Sequence, residues 1–319
     1  MPSGETSTRS VPAGHRSMLV AVGDSDVRSA ALAYAADVAL REGRALRLVH
    51  VSPPSGARHP EMMLLDVEAA AIVGHNLLNS AEARVHALTD GTIDVEALTR
   101  RGPVVDILVD LARDAERVVL QHRRQSRLRR VLTGSIAAGV AGRSTVPVVS
   151  VPEYWSSWTL DQPHLTAGMR TDSRNDALLD RAFAVASACH GTLTALSAWA
   201  WPAPYDKVSG DPSAVRTWTS HVGDLLSERL APWRVAYPSL DVRIDVRHMR
   251  PADALVAATR HSDLLLLGRG HQDGYGQLGP LTRALILEAL CPVEVVPDSF
   301  RSGRSSGTSP AAQRSVSGA

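Results

Sequence analysis

Two short stretches carry the residue types that could hold an anion. Gly134-Ser135 opens the run GSIAAGVAGRSTVPVVSVP. Gly268, Gly270 and Gly279 punctuate GRGHQDGYGQLG, which runs into GPLTRALILEALCPVEVVP. A glycine at a helix start lets backbone N–H groups approach a phosphate closely, and the helix N-terminus adds a favourable field. A neighbouring hydroxyl, as at Ser135, adds a donor. Each stretch also has a plainer reading: Gly134-Ser135 as an ordinary helix start, and 268–279 as a flexible polar loop. The densest positive charge is HRRQSRLRR at 122–130, with five arginines. They could receive phosphates by charge, touch nucleic acid, dock a protein partner, or form a solvated loop. No aromatic residue interleaves with them, so nucleic-acid bases have no stacking platform there. Asp24 and Asp26 follow a short apolar run and could hold Mg²⁺ or cap the next helix. His50, His190, His248 and His261 lack metal-ligand spacing, so no metal site is expected. No Gly-x-Ser-x-Gly elbow, zinc motif or P-loop lysine occurs. Nothing brings nucleophile, base and oxyanion donors together, so the chain is read as not an enzyme.

The elements that must position these residues alternate in type. The short apolar run MLVAV at 18–22 predicts a strand buried on both faces. A turn at 23–26 leads into a helix over 30–40 that Gly43 should close. Strands follow at 46–51, 93–98, 118–121 and 146–151. Helices are predicted over 61–88, 104–113 and in the run after Gly134. The order then repeats: strand 165–169, helix 176–189, strand 192–199, helix 213–237, and finally helix and strand from Gly279, the strand over 292–296. The stretch IDVEALTRRGPVVDILVDLARDAERVVLQ from Ile93 lies without a gap on LDVRIDVRHMRPADALVAATRHSDLLLLG from Leu240. Asp94/Asp241, Arg100/Arg247, Asp106/Asp253, Leu108/Leu255, Arg113/Arg260 and Leu120/Leu267 coincide. An internal duplication accounts for this. Alternating strands and helices predict parallel sheets flanked by helices, with ligands outside the carboxyl ends of the strands where strand order reverses. That places attention on 23–26 and 121–134 in the first copy, and on 170–173 and 268–279 in the second.

Composition narrows the class. The chain has 319 residues, 44% of them apolar, which is enough for two cores. With 34 basic and 33 acidic side chains the net charge is +1, so no global field draws it to nucleic acid or membrane. Two cysteines, Cys189 and Cys291, in apolar surroundings predict no disulfide framework and a reducing compartment. The first sixteen residues lack the apolar core of a signal peptide, and no stretch is long and apolar enough for a bilayer. A cytoplasmic protein without membrane contact is expected. Residues 1–16 and 299–319 read as disordered tails, and 153–163 as a linker.

Taken together these residues resemble the universal stress protein family, twice over: one domain at 17–152 and a second at 164–298. Val22-Gly23-Asp24-Ser25 resembles the family's Val-Asp-Gly-Ser ending of strand one. LVHV at 48–51 and LSAWAWP from Leu196 resemble its strand-two endings. PWRVAYPSLDV from Pro232 and CPVEVV from Cys291 are also similar. The resemblance implies two adenine-nucleotide-alpha-hydrolase-like (Rossmann-like) α/β domains, each a five-stranded parallel sheet flanked by helices. It implies a non-enzymatic stress-response or regulatory protein.

Family members that bind ATP carry Gly-x-x-Gly-x9-Gly-Ser or -Thr. Measured against that pattern, the first copy keeps Gly134-Ser135 but has Gln121 and Arg124 at the upstream glycine positions. The second keeps Gly268, Gly270 and Gly279 with shortened spacing, and Pro280 replaces the hydroxyl. The family's adenine-side aspartate becomes Gly23 in one copy and Arg170 in the other. The resemblance therefore implies nucleotide positions at Gly23, Asp24, Gly134, Ser135, Gly268, Gly270 and Gly279, with ATP binding weak or lost and the second copy the better binder. Trp199 and Trp201 could shape an adenine pocket, or pack in a core. A purely interacting module using sheet edges and the arginine loop is the alternative, and a nucleotide hydrolase the third reading. By resemblance to family homodimers, the strands at 146–151 and 292–296 should pair, so that the two copies mimic a dimer.

Overall fold

A computed structural model of the protein describes residues 17–23, 29–52, 54, 60–122, 136–157, 162–171, 176–201, 211–270 and 278–300, with only the backbone of 60–66. The first half lays down β1 (Met18–Ala21), α1 (Ala30–Glu42), β2 (Leu46–Ser52), α2 (Pro60–Thr89), β3 (Val95–Arg101), α3 (Val104–Leu111), β4 (Arg117–His122), α4 (Ile136–Arg143) and β5 (Val148–Pro152). The second lays down β6 (His164–Met169), α5 (Asp176–Ala188), β7 (Thr192–Trp199), α6 (Pro212–Ala236), β8 (Val242–His248), α7 (Pro251–Ala258), β9 (Leu264–Gly268), α8 (Pro280–Glu288) and β10 (Val293–Val296).

Local chemistry sets most boundaries. The Ser29 hydroxyl accepts from Leu32 N at the start of α1, and Gly43 closes that helix in the left-handed region at φ 61°. The capping expected of Asp24 or Asp26 is thus met by Ser29, the residue next to the first helical turn. The helix expected over 104–113 is α-helical only to Leu111, and Ala112–Asp114 tightens into a 3-10 turn. The third strand begins two residues later than expected and runs to Arg101. It is an edge strand paired only with β2, so charged side chains face water at no cost to the ladder. Strand β5 starts at Val148 rather than Val146, because the Ser144 hydroxyl donates to Val146 O and accepts from Val146 N, holding a turn there.

The two expected five-stranded sheets are continuous with each other. Ten strands form one sheet in the order β3-β2-β1-β4-β5-β10-β9-β6-β7-β8. Each half contributes five parallel strands, and among the described residues the one antiparallel pair is β5 with β10, in register Ser150↔Val293, Val149↔Glu294 and Val148↔Val295. The two edge strands pair as the resemblance implied. On one face of the sheet α3, α4, α7 and α8 cover a core continuous across this seam, including Leu108, Val140 and Val148 from the first half and Leu265, Leu285 and Val293 from the second. On the other face the core is divided. Met18, Leu32, Tyr34 and Val149 pack under α1 and α2, while Leu165, Leu179, Phe183 and Trp233 pack with α5 and α6. Burying each such side chain contributes about 1.5–3 kcal/mol.

Candidate anion-binding turns at the carboxyl ends of the strands

Strand order reverses between β1 and β4 in the first half and between β6 and β9 in the second, so each half has one crevice of the kind that holds ligands in open parallel sheets. In the first, β1 delivers Gly23, and Val22 N donates to Val49 O at 2.8 Å. Val22 O lies 2.9 Å from Nδ1 of the buried His50. That imidazole fills the space beside Gly74 of α2, where an added Cβ would stand 2.8 Å from its Cδ2. At the end of β4, Gln121 stands where a phosphate-wrapping glycine was sought. Its Oε1 accepts from Ala31 N in the first turn of α1 at 3.5 Å, so a neutral amide spans the crevice mouth. Asp24, Gly134, Ser135 and the arginines at 123–130 lie outside the described residues.

The second crevice is built differently. Gly268 ends β9, and a Cβ added there would meet nothing within 4 Å. Gly270 has φ +76°, a conformation that favours glycine. Gly279 is the N-cap of α8, with no side-chain cap and with Pro280 in the first turn, leaving early N–H groups of the helix unbonded by a capping side chain. An added Cβ at Gly279 would come no nearer than 4.0 Å to any atom, that atom being Arg269 O. So Gly268 and Gly270 at the end of β9 and Gly279 at the start of α8 stand at the carboxyl end of the second sheet half, and no described atom comes nearer than 4.0 Å to a Cβ added at Gly268 or Gly279.

The sequence reading missed the hydroxyl of this turn. It was sought at position 280, where Pro280 stands. Thr282, one helical step further in, donates its Oγ1 to Gly268 O at 3.4 Å and is buried. A Ser or Thr in the first turn of the following helix is the signal that would have found it.

Arg269, between the two glycines, does not serve this crevice. Its Nη2 donates to Ser144 O, just past α4 in the other half. Burial lowers its pKa, with Asp298 opposing. His122, in the matching place at the end of β4, reaches the opposite way, with Nε2 3.3 Å from Leu287 O near the end of α8. Each half thus places a basic side chain at the carbonyl end of the other half's last helix, where positive charge is favoured.

Arg170, standing where an aspartate was sought, contributes its carbonyl to Arg229 Nη1 at 3.2 Å. Trp199 and Trp201 do come together at the end of β7, with ring centroids 5.3 Å apart and nearly perpendicular. Trp199 also lies 4.3 Å from the His248 ring and 6.2 Å from Trp218 of α6. The indole N–H groups of Trp199 and Trp201 are shielded from solvent and make no hydrogen bond. Among the described residues no group of three or more His, Cys, Asp or Glu could hold a metal ion, and no helix is long and apolar enough to cross a membrane. Both cysteines are free, and burial pushes the Cys291 thiol up to about 12.

Comparison with known proteins agrees with this architecture. The description of the universal stress protein family matches residues 14–152 and again 165–297. A universal stress protein of Mycobacterium tuberculosis (strain H37Rv) is 25% identical over 297 residues, covering 87% of this chain and 94% of the relative. One from Mycolicibacterium smegmatis is 26% identical over 288 residues, covering 88% and 96%. Among solved structures, a universal stress protein from Archaeoglobus fulgidus superposes with a TM-score of 0.63 at 19% identity, over 88% of this chain and 96% of that one. A Pseudomonas aeruginosa protein described as functionally unknown gives 0.56 at 13% identity, over 90% and 94%. Two matched segments, a duplicated strand order and relatives spanning both halves lead to one assignment: the chain belongs to the universal stress protein family, as a tandem of two such units.

Proposed function

We propose that the protein is a non-enzymatic stress-response protein of two units, 17–152 and 164–298, in which the second unit retains weak binding of an adenine nucleotide and the first has largely lost it. The observation that carries this reading is the contrast between the two crevices. Gln121 spans the first with its amide. In the second, no described atom crowds Gly268 or Gly279, Gly270 is left-handed, and the Thr282 hydroxyl lies beside them. Those backbone N–H groups suit phosphate oxygens, and the hydroxyl, donating to Gly268 O, ties the start of α8 to the end of β9. Arg269 is committed to Ser144, so no cation of this turn adds to the affinity, which keeps binding weak. Gly23, Asp24, Gly134 and Ser135 are the corresponding first-unit positions and contribute little. Catalysis of phosphate release is not expected, because among the described residues no nucleophile, base and oxyanion donors come together at the second turn.

Calorimetric titration with ATP tests this, with Gly268→Ala as the control. A methyl at Gly268 meets no atom of the described residues within 4 Å. Loss of affinity in that variant therefore reports on the ligand and not on the fold. Binding that is unaffected by the substitution places the site elsewhere, and Mg²⁺-dependent phosphate release would end the non-enzymatic reading.

A further inference from the structure

The seam between β5 and β10 is apolar on one face of the sheet and charged on the other. On the charged face Glu294, fully buried, stands directly opposite Val149. Arg181 of α5, 6% exposed, donates its Nε to Glu294 Oε1 at 2.5 Å. From the first half comes Arg117 of β4, 1% exposed, bonded to Glu42 at 2.5 Å and to Glu116 at 3.1 Å. Tyr34 of α1 is buried beside them. The groups act on one another across the seam. Burial first, and the Glu294 charge second, raise the Tyr34 pKa. Burial works against the Arg117 charge, but Glu42, Glu294 and Glu116 more than offset it.

These residues occupy matching places in the duplication. The register that lays Gly23 on Arg170 lays Tyr34 on Arg181 and Arg117 on Leu264, and the register that lays Pro147 on Pro292 lays Val149 on Glu294. Each place near the local twofold is therefore filled in unlike ways: Tyr34 and Val149 from one half, Arg181 and Glu294 from the other. The Arg181–Glu294 pair leaves Glu294 Oε2 and Arg181 Nη2 without hydrogen bonds. A buried carboxylate satisfied on one oxygen depends on further positive charge nearby, and the first half supplies it through Arg117.

We propose that this seam is selective: the β10 edge is built to join the β5 edge of the first half and to reject a second copy of itself. In a β10–β10 pair of the same register, Glu294 would face its own copy on a buried face. Directly opposite residues have Cβ atoms about 4.5–5.5 Å apart, and like charges so placed are destabilising. The first half's Arg117 and Tyr34 would be replaced by Leu264 and a second Arg181. Arg117, which offsets Glu294 from across the seam, would give way to an uncharged leucine, and the cation left there would be a second Arg181, buried where a phenol ring stands.

The test uses the full chain with a protease site in place of residues 158–161, cut after folding. Cut protein with and without an isotopic label is mixed, unfolded in urea and refolded together, and the pairs are counted by native mass spectrometry. Pairs of two second halves should be at least about tenfold rarer than mixed pairs, a difference of about 1.4 kcal/mol. In the doubly substituted Arg181→Tyr/Glu294→Val protein that ratio should rise by about tenfold. Second-half pairs as common as mixed pairs in the unsubstituted protein overturn the proposal. So does a double variant whose pairing is as exclusive as before. The uncut chain gives an independent reading. Glu294→Val alone should lower the urea midpoint, and adding Arg181→Tyr should recover most of the loss. Failure to recover would mean that the two sides of the seam are not equivalent places, and the proposal falls.

Discussion

The two halves repeat one order of elements, but they have diverged at the carboxyl ends of their strands and at the seam. The first half's crevice is spanned by the Gln121 amide, and its contribution to the seam is a phenol, a valine and a buried arginine. The second half keeps an open glycine turn and contributes a buried carboxylate with its own arginine. The difference teaches that duplication freed each copy to specialise. The core-forming pattern is kept in both, because the inner strands still have to bury two faces. The polar positions have been divided between the copies.

Four measurements would break or sharpen this contrast. The largest effect is expected at the seam. Glu294→Leu leaves Arg181 without its carboxylate and should cost about 3–5 kcal/mol in urea unfolding. A loss below about 1 kcal/mol would mean that the second half's charges are in contact with water. Next comes Gly74→Ala, which pushes a methyl against the His50 ring and should destabilise by about 1–3 kcal/mol, as overpacking does. Gly268→Ala should leave the melting temperature unchanged, and equal effects at the two glycines would erase the contrast between a packed first crevice and an open second one. On ligand affinity, Gly268→Ala should lower ATP binding about tenfold, or about 1.4 kcal/mol, whereas Gln121→Asn should change it little.

The smallest effect is on pH dependence. Burial alone would raise the Glu116 pKa, but Arg117, by charge and hydrogen bond, then Arg181 and Arg44, hold it below its ordinary value. A carboxyl depressed in the folded state adds stability that is present above its unfolded value, about 4.3, and is lost as pH falls through the folded value. Unfolding midpoints measured from pH 5 down to pH 3 should therefore fall less steeply in Glu116→Gln than in the unsubstituted protein. Identical slopes would remove Glu116 from the network that joins the halves.

Much of this was legible in the sequence. The continuous apolar run MLVAV marked a doubly buried strand. Gly43 marked the end of α1. The ungapped match from Ile93 onto Leu240 showed the duplication. What was not legible depended on distance in the chain. Nothing in CPVEVV itself shows that Glu294 is buried completely, opposite Val149 of β5. Arg117 lies just before the apolar run of β4, and no local pattern shows that Glu42 and Glu116 hold it inside. Thr282 was overlooked because the motif fixed attention on the residue next to Gly279. In each case the partner that gives the residue its role is contributed by another element, and a linear pattern does not show which one.

The antiparallel seam has a further geometric result. Because β1 to β5 run one way and β6 to β10 the other, the two crevices open on opposite rims of the ten-stranded sheet. No single small molecule can span them, and occupants of the two would never meet or repel each other directly. Communication between the rims would have to pass through the body of the protein. The crossed straps from His122 to Leu287 and from Arg269 to Ser144 offer a route for it, each tying the loop end of one rim to a helix that begins on the other.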